Sequence, residues 1–227
     1  RGNLLLEEFT QLLGPRTRLV AATAVANAIG TVTPVQTIVS LAHRYGARVL
    51  IDGAQSVPHL AVNLQRLDPD FFVFSGHKAF GPTGIGAEFI NQRVWDETPA
   101  WQGGGNMIAD VTIERSIYQA PPNKYEAGTG NIADAVGLAA ALRYVKGIGI
   151  ERIAAYEHRL LDYATPRLAE IPGVRLIGTA ERESQCAVVP ARRPRGRGRR
   201  QGAQPARHRG SSRASLRPAD PASAGRA

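Results

Sequence analysis

Ala47-Arg48-Val49-Leu50-Ile51-Asp52-Gly53-Ala54-Gln55 and Phe71-Phe72-Val73-Phe74-Ser75-Gly76-His77-Lys78 are the two stretches that decide the fold. Each is a short, mostly apolar run that stops abruptly in polar residues and glycine. Runs of this length, bounded by turn formers, read as buried strands. The first ends in a carboxylate and the second in a lysine. In an open α/β sheet, ligands bind outside the carboxyl ends of the strands. The two stretches therefore predict one sheet edge that carries both an acid and an amine.

The flanking sequence supplies the helices such a sheet needs. Leu4 to Leu13 has helical spacing and stops at Gly14-Pro15. Thr17 to Thr23 reads as another buried strand. Pro34 to Tyr45 reads as a helix, with Pro in its first turn and Gly46 just past its end. Asn63 to Leu67 is a short helical turn, and Gly86 to Ile90 a further strand. Strand, helix, strand in this rhythm predicts an α/β fold: a mixed, mostly parallel sheet covered by helices.

Residues 98–130 are rich in Gly, Pro and Asn, with Gly103-Gly104-Gly105 and Pro121-Pro122, and read as a long loop region. Loops of that length in a compact domain are usually functional. Two helices are expected next, Ile132 to Val145 and Gly149 to Leu168. Gly173 to Ile177 reads as the first strand of a smaller domain that has barely begun. The expected organisation is a partial ligand-binding domain over 1–147, a connecting helix and first strand over 148–180, and a tail over 181–227.

The tail changes the meaning of the charge. The formal net charge is +9, yet residues 191–227 hold eleven Arg, no Lys and one acid, Asp220. The tail alone is +10, which leaves the first 190 residues at −1. Its Arg, Ala, Pro, Gly and Ser cannot bury enough apolar surface to fold, so it is expected to be disordered. A shifted reading frame in GC-rich DNA produces an abrupt change of this kind. The tail lacks interleaved aromatics, so non-specific electrostatic contact with nucleic acid is the most it supports. The single cysteine, Cys186, excludes an internal disulfide framework and suits a reducing, cytoplasmic setting. No apolar run is long enough to span a bilayer, and no ligand set for a metal stands out. The chain opens on Arg1 rather than Met, and an N-terminal truncation is expected.

An acid for a pyridinium nitrogen together with a lysine for a Schiff base is the protein's half of a pyridoxal phosphate (PLP) site. The amine must lose a proton to attack an aldehyde. A carboxylate at the ring nitrogen keeps that nitrogen protonated, which makes the ring an electron sink. Asp52 alone would equally serve as a turn former, but Gln55 three residues on adds an amide for the ring's phenolic oxygen. Ser75 and His77 offer a hydroxyl and a ring nitrogen suited to phosphate oxygens, or form an ordinary polar loop. Asn27 either caps the turn Asn27-Ala28-Ile29-Gly30 or adds a hydrogen bond near the phenolic oxygen. Gly128-Thr129-Gly130-Asn131 either caps the helix at Ile132 or binds phosphate at its start. Cys186 has no base in useful spacing.

These residues resemble a known family. Asn27-Ala-Ile-Gly-Thr-Val-Thr-Pro-Val35, Val49-Leu-Ile-Asp-Gly-Ala-Gln-Ser56, Asp70-Phe-Phe-Val-Phe-Ser-Gly-His-Lys78, Gly81-Pro-Thr-Gly-Ile-Gly86, Gly103-Gly-Gly-Asn-Met-Ile108 and Tyr125-Glu-Ala-Gly-Thr-Gly-Asn-Ile132 are similar to the middle of Suf-type cysteine desulfurases. These belong to the class V aminotransferase group of fold-type I PLP enzymes, and the resemblance covers residues 3–180. It implies that Lys78 carries the Schiff base and shuttles the Cα proton. It implies Asp52 on the pyridinium, Gln55 and Asn27 near the phenolic oxygen, and Ser75 and His77 on the phosphate. Thr129 would reach the phosphate of a partner subunit, since family members are homodimers with shared sites. L-cysteine would give L-alanine, with sulfur passed to an acceptor protein for iron–sulfur cluster assembly. Selenocysteine lyases, epimerases and aminotransferases of the same class share Lys78 and Asp52. The family's opening segment and its Arg-x-Gly-His-His-Cys nucleophile motif have no counterpart here. Impaired turnover of the chain by itself is therefore expected, and a non-catalytic fragment with a basic tail is the alternative of a different class.

Overall fold

The apolar runs lie side by side, as their composition predicts. The structure, a computed structural model, describes residues 2–178 and 180. β1 (Leu19–Thr23), β2 (Arg48–Asp52), β3 (Phe71–Ser75) and β4 (Gly86–Ile90) form one sheet in that order. β1 pairs with β2 and β2 with β3 in parallel, while β4 returns antiparallel to β3. Thr23 is opposite Asp52, Asp52 opposite Val73, and Ser75 opposite Gly86. The sheet is thus mixed and mostly parallel, as expected.

α1 (Leu6–Leu12) precedes the sheet, α2 (Val35–Arg44) links β1 to β2, and α3 (Leu64–Leu67) links β2 to β3. α2 buries Ile38, Val39 and Ala42. It ends in a Schellman turn: the Ala47 N–H donates to Ala42 O (3.1 Å) and the Gly46 N–H to His43 O (3.0 Å). Gly46 sits at φ +72°, where a side chain would be strained. Asn63 caps α3 by accepting from the Arg66 N–H. The core gathers Ala24, Val39, Ala42, Ala47, Val49, Ile51 and Phe72, with Val35, Leu64, Leu67 and Phe89 packed around it.

Three expectations need correction. β1 is an edge rather than a buried strand; it pairs with β2 alone among the described residues, and Leu19 is 54% exposed. Apolar composition reports a strand but not how many neighbours it has. Residues 98–130 are not all loop, since β5 (Ile108–Val111) and β6 (Ser116–Tyr118) form an antiparallel hairpin with a register shift between Ile108 and Asp110. The bulge and the exposed faces remove the alternation that marks a half-buried strand. Residues 173–177 form no ladder strand; Val174 and Ile177 make only isolated bridges. A strand needs continuous pairing along its length, and this segment pairs only at single residues.

The two helices appear as expected, as α4 (Ile132–Ile148) and α5 (Ile150–Ala169), joined at Gly149 with φ +94°. The tail from 181 onward and Cys186 lie outside the described residues.

At the amino-terminal end of β3, Asp70 is fully buried and ties β2, α2 and the segment after β4 together. It accepts from the Val49 N–H (2.7 Å), Arg93 Nε (2.9 Å) and His43 Nε2 (2.9 Å). Burial pushes its carboxyl up, but the bonds from Arg93, His43 and the Val49 N–H outweigh burial and hold it below the usual carboxylate range.

Candidate functional site

Asp52 is the last residue of β2, and Lys78 lies in a turn of 3-10 helix, Gly76–Ala79, directly after β3. Neighbouring strands of a sheet lie roughly 4.8 Å apart. β2 and β3 are such neighbours and parallel, so the carboxylate and the amine share one edge. Both side chains are half-buried. Asp52 Oδ1 accepts from the Ala54 N–H (2.9 Å), an Asx turn that fixes the carboxylate as the chain leaves the strand.

The other residues singled out in the sequence fall into three groups. Gln55 Nε2 donates to Asn27 Oδ1, which joins the chain beyond β1 to the chain beyond β2. Asn27 stands at an exposed turn closed by the Ala26 N–H on Thr31 O (2.9 Å) and by the Gly30 N–H on Ala26 O (2.9 Å). Ser75 Oγ and His77 Nδ1 share a hydrogen bond of 2.7 Å beside Lys78. Thr129 is an exposed loop residue ahead of α4 with no hydrogen bond to the other candidates among the described residues. Its loop is tied to the glycine triplet by the Gly128 N–H on Gly105 O (2.8 Å). Asn131 caps α4 by accepting from the Asp134 N–H.

Backbone packing, which side-chain chemistry in the sequence does not announce, shapes both strand exits. A Cβ on Gly53 would lie 2.0 Å from Phe72 Cζ, because the far edge of the Phe72 ring abuts the turn that follows Asp52. A Cβ on Gly76 would meet Ile85 O at 2.8 Å, where the Gly76 N–H donates to that same carbonyl (2.8 Å). The Gly81 N–H closes the lysine turn on Gly76 O (2.9 Å), and Phe80 takes a left-handed φ of +64° to allow it. Gly53→Ala is expected to lower stability by about 2 kcal/mol, since overpacking forces the ring or the turn to move. Urea unfolding measures this, and Gly53→Ala/Phe72→Leu should recover part of the loss.

Among the described residues no cluster of His, Cys, Asp or Glu is arranged to hold a metal ion. No helix there is long and apolar enough to cross a membrane.

The model of the aminotransferase class-V family matches residues 1–193. The chain belongs to that family. A probable cysteine desulfurase of Mycolicibacterium paratuberculosis is 70% identical over 183 residues, covering 81% of this chain and 27% of that protein. The apo cysteine desulfurase of Thermococcus onnurineus NA1 superposes with a TM-score of 0.79 at 36% identity, over 84% of this chain and 48% of that one. C-DES, solved as a mutant with glycine covalently linked to its PLP cofactor, gives a TM-score of 0.71 at 26% identity, over 82% of this chain and 49% of that one. A second structure holds the cystine C–S lyase C-DES with its product, cysteine persulfide. The class-V chain described here spans 27% and 29% of the length of the first two curated relatives it matches.

Proposed function

We propose that this chain is the PLP-binding portion of a cysteine desulfurase. The observation that carries the proposal is the placement of Asp52 and Lys78 at the carboxyl ends of adjacent parallel strands. The 70% identity to a probable cysteine desulfurase supports the choice of reaction.

The donor set fits the cofactor. A pyridinium calls for a carboxylate, and Asp52 is one held by an Asx turn. A phenolic oxygen calls for an N–H donor, and the Gln55 amide, held by Asn27, offers one. A phosphate calls for hydroxyl and ring N–H groups, and Ser75 with His77 supplies both. An aldehyde calls for an amine, and Lys78 is alone of that kind at this edge.

PLP, when bound, supplies an electron sink for the charge left on a substrate's Cα. The chain's own residues do the rest. Asp52 keeps the ring nitrogen protonated. Gln55 and Asn27 orient the ring's edge, and Ser75 and His77 fix the phosphate. Lys78 holds the cofactor through Nζ, then takes the Cα proton and returns it. Thr129, exposed and without a hydrogen bond to these groups among the described residues, serves the phosphate of a second copy in a homodimer. L-cysteine is the substrate and L-alanine the product; the sulfur passes as a persulfide to a thiolate and on to an acceptor protein for iron–sulfur cluster assembly. These 227 residues carry one cysteine, outside any Arg-x-Gly-His-His-Cys pattern, so slow turnover by the chain alone is expected. We place the protein in the cytoplasm, with residues 1–147 as its partial cofactor domain and 148–180 as the connection to a second domain.

Mixing the chain with PLP is expected to produce a visible absorption band. Asp52→Ala should weaken PLP binding by roughly 10- to 100-fold, the cost of one charge-assisted bond. A wild-type chain that develops no band would overturn the proposal, as would an Asp52→Ala variant with undiminished affinity.

A further inference from the structure

The loop that follows Lys78, residues 80–86, leans on one face of α4. Asn131 Nδ2 donates to Gly84 O (3.4 Å) and to Asp134 Oδ2 (2.5 Å). A Cβ on Gly84 would lie 2.5 Å from Asp134 Oδ2. One turn further on, a Cβ on Gly137 would lie 2.7 Å from Pro82 Cγ, and a Cβ on Gly81 would lie 3.0 Å from Leu138 Cδ1. Positions 131, 134, 137 and 138 share one face of a helix. Gly81 in turn closes the lysine turn on Gly76 O. The contacts run without a gap from α4 through Pro82 and Gly81 to the turn that carries Lys78.

Gly137 makes this contact costly in local terms. Glycine inside a helix weakens it relative to alanine, and the surrounding Ala-Val-Gly-Leu-Ala-Ala sequence is otherwise strongly helix-forming. Its absent side chain makes room for the Pro82 ring. Asn131 is likewise more than a cap: Ser or Asp would accept from the Asp134 N–H equally well, but Asp has no donor and the Ser hydroxyl is too short to reach Gly84 O from the capping position.

We propose that Asn131 and Gly137 are positioning residues that set the Lys78 turn, making the first half of α4 the backing of the lysine. The proposal rests on the reading of Lys78 as the residue that holds PLP. Without the backing, the turn is free to shift, and Lys78 Nζ no longer meets a cofactor anchored by Asp52 on the neighbouring strand. A displacement of about 1 Å at such a site costs up to about a hundredfold.

The test compares the full chain with Gly137→Ala and Asn131→Ser in two measurements: PLP affinity from the visible band, and amide hydrogen exchange over residues 76–86 without cofactor. Gly137→Ala is expected to remain folded, its gain in helix propensity offsetting part of the cost of crowding the Pro82 ring, while binding PLP about tenfold more weakly. Exchange over 76–86 should quicken in both variants. Loss of affinity in a variant that stays folded at the temperature of the binding measurement separates positioning from folding. If Gly137→Ala does not fold, Asn131→Ser carries the test, because it keeps a capping oxygen and loses the reach to Gly84. Wild-type affinity together with wild-type exchange in either folded variant would overturn the proposal. A wild-type chain without a band would overturn the PLP reading of Lys78 and this proposal with it, while quickened exchange would still show that α4 backs the turn.

Discussion

Lys78→Ala is expected to abolish retention of PLP through gel filtration while leaving the melting temperature where it is. The Lys78 side chain makes no hydrogen bond or ion pair among the described residues, although it is half-buried at the edge of the sheet. Substitutions that remove no structural contact usually change stability by no more than about 0.5 kcal/mol. Its removal takes away the covalent hold and leaves Asp52, Gln55, Ser75 and His77 to bind the cofactor by polar contacts alone. Affinity should fall at least about a hundredfold, roughly 3 kcal/mol. Absorbance after gel filtration reads the first effect, and calorimetry the second. A variant that keeps its band would mean that a different amine holds the cofactor.

Asp70→Asn should have the largest effect on stability, about 3 kcal/mol. Asp70 is the buried anion onto which Arg93, His43 and the Val49 N–H converge, with Arg48 Nη1 at 3.5 Å. An amide accepts fewer of these bonds and leaves the Arg93 cation, itself 34% exposed, short of charge. The effect depends on pH with a definite sign. In the unfolded chain a carboxyl titrates near about 3.9. In the folded chain Asp70 titrates lower, because the bonds to Arg93, His43 and Val49 outweigh burial. The unfolded state therefore binds more protons in this range, and stability rises with pH. The contribution of Asp70 is complete above about pH 5 and is lost as the pH falls through 4 toward the folded value. Urea midpoints at pH 7, 5 and 3.5 should show the gap between wild type and Asp70→Asn closing at the acid end. Equal midpoints at pH 7 would contradict a supporting role for this carboxylate.

The sheet was legible because its information is local. Val49-Leu50-Ile51 and Phe71-Phe72-Val73-Phe74 are apolar on both faces, and Asp52 and Lys78 mark where each leaves the core. Asn63 and Asn131, read from spacing as helix starts, cap α3 and α4. What stayed hidden depends on partners far along the chain. Gly53 answers to Phe72, Gly137 to Pro82, and Asp70 to Arg93 and His43; nothing in the spacing of either member announces the other. The hairpin at 108–118 escaped because its strands are short, exposed and interrupted by a bulge. The strand expected at 173–177 fails for the opposite reason: Val174, Leu176 and Ile177 have the composition of a strand, but only Val174 and Ile177 pair, each in an isolated bridge. Of the site candidates, Gln55 with Asn27 and Ser75 with His77 are in contact, while Thr129 makes no hydrogen bond to any of them among the described residues.

The chain contains three lysines, Lys78, Lys124 and Lys146. Lys124 donates to Trp95 O (2.8 Å), and Lys146 is exposed on α4. Incubation with PLP, reduction with borohydride and peptide mapping will show which of them carries the cofactor. Label confined to Lys78 is the result expected of a ring held between the tips of β2 and β3. Label on Lys146 at equal or higher yield would contradict it, because simple exposure would then explain the reaction.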